Sequence, residues 1–170
     1  DILNKIIDAL KFAHSKNIIH TDIKPDNIFI NKNEYYLGDW SISNQKEEVK
    51  LVHINTDDCY TSPECYSGNF NKSIDIYSLG CTLYYLTTGR KVYDFDNSSS
   101  FAYIMYAHCM LGIDFELISS NKLKYLIYRM TDKNPHSRAT IDEINEILII
   151  NSDMLFTQKY GTNYEKYTTT

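Results

Sequence analysis

The stretch IIHTDIKPDNIFI, residues 18–30, decides how this chain is read. Apolar runs at 18–19 and 28–30 flank a polar loop that holds His20, Asp22, Lys24 and Asn27. A plain turn between strands asks only for Pro, Asn, Asp or Gly at its bend. It has no use for a histidine, a carboxylate, a lysine and an amide at fixed offsets.

Upstream, the spacing of Leu3, Ile6, Ile7 and Leu10 predicts an amphipathic helix over residues 2–14. Downstream, residues 28–30 and 35–37 read as short strands around Asn31, Lys32 and Asn33. Residues 41–58, with the charge run KEEVK, are polar and irregular. From Ser73 the pattern changes. Ile74, Ile76, Tyr77, Leu79, Cys81, Leu83, Tyr84 and Leu86 leave no polar side before Gly89, and such a helix belongs in the middle of a core. Residues 101–111 read as a helix between capping serines and Gly112. Leu123, Leu126, Ile127 and Met130 mark another, and Thr140 with Glu143 forms a capping box opening a last helix to about Ile149. Residues 151–170 show no periodicity and are expected to be a flexible tail. The expected fold is mainly α with one small β-hairpin, as one domain over 1–150 and a tail over 151–170.

The 170 residues suffice for one core. A composition of 43% hydrophobic and 23% charged residues is that of a globular protein. The formal charge of −5 gives no electrostatic reason to expect nucleic acid or an anionic membrane as partner. No apolar run approaches the roughly 20 residues needed to span a bilayer. Cys59, Cys65, Cys81 and Cys109 are scattered without a C-x-x-C pair, which points to free thiols in a reducing compartment and so to the cytoplasm. The chain opens at Asp1, inside a helical pattern and without an initiator Met, so further sequence is expected upstream.

A carboxylate on a rigid loop can accept a hydroxyl proton or orient a nucleophile. A lysine two residues on, Lys24 after Asp22, can neutralise charge on a transferring phosphoryl group. An amide oxygen, that of Asn27, suits magnesium, a hard cation that prefers oxygen ligands. LGDW supplies a second oxygen ligand, Asp39, directly after the second strand. Together these form the minimum set for phosphoryl transfer from a metal–nucleotide complex. Singly, each has a plainer reading: Asp22 and Asn27 as turn residues, Asp75 as a complement to a helix N-terminus, Arg138 as a solvated cation.

The ordered set resembles the protein-kinase family. Residues 20–27, HTDIKPDN, are similar to the catalytic loop H-R-D-x-K-x-x-N, and DWS at 39–41 to the D-F-G element. SPE at 62–64 is similar to A-P-E, DIYSLG at 75–80 to D-x-W-S-x-G, and Arg138 to the arginine that pairs with the A-P-E glutamate. The resemblance covers about residues 1–150 and implies the C-terminal lobe of a serine/threonine kinase, since tyrosine kinases generally lack a lysine at the place of Lys24. It implies Asp22 as catalytic base, Lys24 as phosphate-stabilising cation, and Asn27 and Asp39 as magnesium ligands beside ATP. His20 is implied as a structural member of the loop, Glu64 with Arg138 as a structural ion pair, and Asp75 as a brace for the loop backbone. The implied partners are a protein substrate and the family's N-terminal lobe, whose Gly-rich loop, strand lysine and partner glutamate this stretch lacks. Alone, such a stretch is expected to bind ATP weakly and turn over little.

Four positions depart from the family pattern. Thr21 replaces the arginine that receives a phosphorylated activation loop, Ser41 replaces glycine, and Tyr77 replaces tryptophan. Asp57 falls where a threonine is usual, unless Thr56 serves through a one-residue shift. Two rivals share part of the pattern. A small-molecule phosphotransferase of the aminoglycoside- or choline-kinase type would match H-x-D-x-x-x-x-N and GDW but lack SPE, DIYSLG and the late arginine. A pseudokinase scaffold would account for Ser41 and Asp57 but not for retention of Asp22, Lys24, Asn27 and Asp39.

Overall fold

The computed structural model describes residues 2–41, 59–96 and 98–160, apart from the side chain of Tyr160. The KEEVK run, Thr56, Asp57 and residues 161–170 lie outside the described residues.

Helix α1 (Ile2–Ser15) buries Leu3, Ile6, Ile7, Leu10, Ala13 and His14 along one stripe. Asn17, at φ 56°, ends it. Its N–H returns to the His14 carbonyl at 3.1 Å and that of Ile18 to Ala13 at 3.0 Å, the paired closure that a left-handed residue permits. A short 3-10 turn, Pro25–Asn27, leads into β1 (Ile28–Asn31), which pairs antiparallel with β2 (Glu34–Leu37), Ile28 opposite Leu37. The turn between them is Lys32 at φ 48° and Asn33 at φ 64°, two left-handed residues whose twist matches that of the strands.

Helix α2 (Ser73–Thr88) is the axis of the molecule, with residues 74–84 all buried. Its polar side chains are satisfied internally: Thr82 Oγ1 donates to the Ser78 carbonyl at 2.8 Å, and Ser78 Oγ to Tyr60 at 2.7 Å. Gly80 allows α4 (Asn121–Met130) to approach, since a Cβ there would lie 2.7 Å from Thr131 Cγ2 and 2.9 Å from Met130 Cβ. Gly89, at φ 71°, stops α2 with its N–H on the Tyr85 carbonyl. Helix α3 (Phe101–Met110) is capped by Ser100, and α5 (Ile141–Leu148) by the Thr140–Glu143 box. At the C-terminal end of α3 the chain extends at Leu111, before Gly112 is reached. One contiguous core joins Leu10, Ile23, Leu79, Ile104, Ile127 and Ile144.

The expectation of a flexible stretch from residue 151 is corrected for its first part. Residues Asp153–Tyr160 form α6, with Phe156 fully buried. The Asp153 carboxylate accepts the N–H groups of Asn121 (3.0 Å) and Lys122 (3.1 Å) and the Ser120 hydroxyl (2.8 Å), so it caps α4 from a distance. These bonds hold its carboxyl below the usual range against an opposing effect of burial.

Candidate active site

A buried carboxylate costs several kcal/mol unless charge and hydrogen bonds compensate it. Asp75, fully buried at the start of α2, is compensated by three donors. Its Oδ2 receives the His20 N–H at 2.9 Å and faces His14 Nε2 at 2.7 Å, while Oδ1 receives the Thr21 N–H at 2.9 Å. A lone pair facing an anion would be repelled, so His14 carries its proton on Nε2. Thr21 is a β-branched residue at φ 71°. That strain, about 1–3 kcal/mol by type, is held in place by Asp75 one residue before Asp22.

Around Asp22 the loop closes on itself. Lys24 Nζ lies 2.8 Å from Oδ2 and 3.0 Å from Oδ1, and Asn27 Nδ2 donates both to the Asp22 carbonyl (2.7 Å) and to Oδ2 (2.9 Å). Asn27 is itself buried, and its Oδ1 accepts no hydrogen bond from the described residues. Asp22 N–H points to His20 Nδ1 at 3.3 Å. That nitrogen therefore accepts, and Nε2–H donates to the Gly38 carbonyl at 2.9 Å. His20 thus ties the loop to the residue before Asp39.

Asp39 follows β2 at φ 55°. The Phe29 ring lies over Gly38, where a Cβ would come within 2.6 Å of it and push the ring aside, and the Gly38 N–H bonds the Asn27 carbonyl at 2.9 Å. The Trp40 indole N–H donates to the Leu37 carbonyl at 2.9 Å, and its ring lies against His20 with centroids 4.4 Å apart. Ser41 Oγ donates to Asp39 Oδ1 at 2.6 Å. That hydroxyl, then the Ser41 N–H, holds the exposed Asp39 carboxyl below its ordinary range.

Farther out, Arg138 and Glu64 meet in the interior. Arg138 Nη2 donates to Glu64 Oε2 at 2.8 Å and Nη1 to Oε1, while Nη1 also reaches the Ser73 carbonyl at 2.8 Å and Nε that of Asp132 at 3.0 Å. The guanidinium lies 5.0 Å from the centroid of the Tyr77 ring. The pair joins residues 62–64, the start of α2 and the turn after α4.

The matching family model, that of the protein kinase domain, covers residues 1–148. The chain belongs to the protein kinase family. Among its kinase relatives, a protein named as a serine/threonine kinase in Acanthamoeba polyphaga mimivirus is 37% identical over 160 residues, covering 87% of this chain and 55% of that protein. The serine/threonine-protein kinase Nek5 of Homo sapiens is 36% identical over 146 residues, 80% of this chain and 20% of Nek5. The serine/threonine-protein kinase nekl-2 of Caenorhabditis elegans is 39% identical over 103 residues, 57% and 28%. The chain therefore spans about half or less of these kinases' lengths. Its helices with one two-stranded hairpin are those of a kinase C-terminal lobe.

Asp22, Lys24, Asn27, His20 and Asp75 form one bonded cluster in this kinase, which His20 links to the Asp39 turn through Gly38; Glu64 and Arg138 form a second. Sequence reasoning passed over His14, the indole bond of Trp40 and the hydroxyl of Ser41. For His14 a signal existed: an imidazole on an otherwise apolar helix stripe needs a buried partner.

Proposed function

We propose that this kinase domain transfers the γ-phosphate of ATP to a serine or threonine hydroxyl of a protein, within a site completed by an N-terminal lobe from flanking sequence. The observation that carries the reading is the Asp22 carboxylate, oriented by Asn27 Nδ2 at 2.9 Å beside the Lys24 ammonium at 2.8 Å. Asp22 accepts the proton of the attacking hydroxyl. Lys24, within reach of the same position, stabilises charge on the phosphoryl group in flight. Asn27 spends its amide nitrogen on Asp22 and keeps Oδ1 open, and Asp39 offers a carboxylate, so the donor set suits a hard cation. Among the described residues no three His, Cys, Asp or Glu side chains converge as a metal cage. That fits magnesium shared with nucleotide phosphates, which would neutralise their charge.

Phe29, Ile30, Tyr36 and Leu86 are about half exposed or more, apolar surface of the kind another part of a protein covers. This supports the N-terminal lobe as partner. A second reading, a kinase-shaped binding module without catalysis, draws on Ser41, which occupies one oxygen of Asp39. The test is incubation of the whole natural protein with γ-labelled ATP and a mixed protein substrate. Magnesium-dependent label on serine or threonine supports transfer; magnesium-dependent nucleotide binding without label supports the binding module.

A further inference from the structure

We infer that Ser41 is a positioning residue that makes Asp39 a one-oxygen ligand and so biases the site toward magnesium over calcium. This deepens the phosphotransfer reading and rests on it. The Ser41 hydroxyl donates to Asp39 Oδ1 at 2.6 Å, an oxygen that a bidentate cation would need. The contact is built into a pinned turn. Asp39 sits at φ 55°, and Trp40, between the two residues, is fastened by its indole bond to Leu37 and its packing on His20. A glycine at residue 41 would have no donor and a freer backbone.

The cations differ in what they ask of a carboxylate. Calcium takes about six to eight oxygens and readily uses both of one carboxylate, whereas magnesium takes about six in a tight octahedron and is served by one oxygen from each carboxylate. With a lone pair of Oδ1 engaged by Ser41, Oδ2 is the stronger donor left to the metal. Calcium loses a ligand that magnesium does not need.

The test uses terbium, a calcium-like ion whose luminescence is sensitised by tryptophan, and the chain has a single one, Trp40. Terbium bound in the presence of ADP is displaced with magnesium chloride or calcium chloride, in the intact chain and in its Ser41→Ala, Ser41→Thr and Asp39→Asn variants. Ser41→Ala is expected to lower the calcium concentration for half-displacement, relative to that of magnesium, by about fivefold or more, as the freed oxygen becomes a calcium ligand. Ser41→Thr, which keeps the hydroxyl, restores the original ratio. An unchanged ratio in Ser41→Ala, with Asp39→Asn abolishing the signal, overturns the role of Ser41 alone. Emission that is absent from the unsubstituted chain, or that survives Asp39→Asn, overturns the metal reading and this inference with it.

Discussion

Thr21 shows how a single residue carries both strain and constraint. Its φ of 71° suits glycine or asparagine better than a β-branched side chain, and the conformation persists because Asp75 bonds its N–H and that of His20. His14 fixes Asp75 in turn. Replacing His14 with Leu is expected to raise amide exchange at His20 and Thr21 by about tenfold or more relative to amides of α5, a local opening rather than global unfolding. His14→Gln, which keeps a donor, should restore much of the protection; equal exchange in all three proteins would refute the anchor. Thr21 also lacks the forked cation that receives an activation-loop phosphate in the family. Phosphatase treatment of the whole natural protein is therefore predicted to leave phosphotransfer unchanged, and loss of activity would contradict this.

Among the elements, α2 is the least tolerant of change. Gly80→Ala would press a methyl group against Thr131 and Met130, and overpacking of this kind costs about 1–3 kcal/mol, measurable as a lower denaturation midpoint at unchanged slope. The all-apolar run of α2 was legible in the sequence, as were the stripe of α1, the hairpin and the capping box of α5, because each follows from local periodicity and turn chemistry. Helix α6 was not. It has eight residues, one fully buried anchor in Phe156, and Asp153 bonding to a helix more than thirty residues earlier in the chain, so no local pattern announces it. That Asp22, Lys24 and Asn27 share one loop was legible from their offsets, whereas the Trp40 and Ser41 contacts depend on how the chain turns after β2.

At the scale of the molecule, Glu64 and Arg138 lie 74 residues apart in sequence and join segments that no local bond connects. Removing one partner leaves a buried charge, so Glu64→Ala is expected to cost about 3–5 kcal/mol in chemical denaturation. Burial lowers the Lys133 ammonium from the ordinary 10.5 to about 8, beneath Tyr77 and Tyr93. Below pH 8 both folded and unfolded states hold that proton. Between pH 8 and 10 only the unfolded state does, so stability rises with pH there. Above 10 the buried phenols of Tyr77 and Tyr93, pushed up by burial, reverse the trend. Lys133→Met should flatten the rise between pH 8 and 10 in denaturation series. The central claim is that one loop performs phosphoryl transfer, and its most direct measurement is γ-phosphate transfer by the whole natural protein against its Asp22→Asn variant. A loss of about a hundredfold or more, with stability and magnesium–nucleotide binding retained, is predicted. Equal transfer by the two proteins would contradict the account.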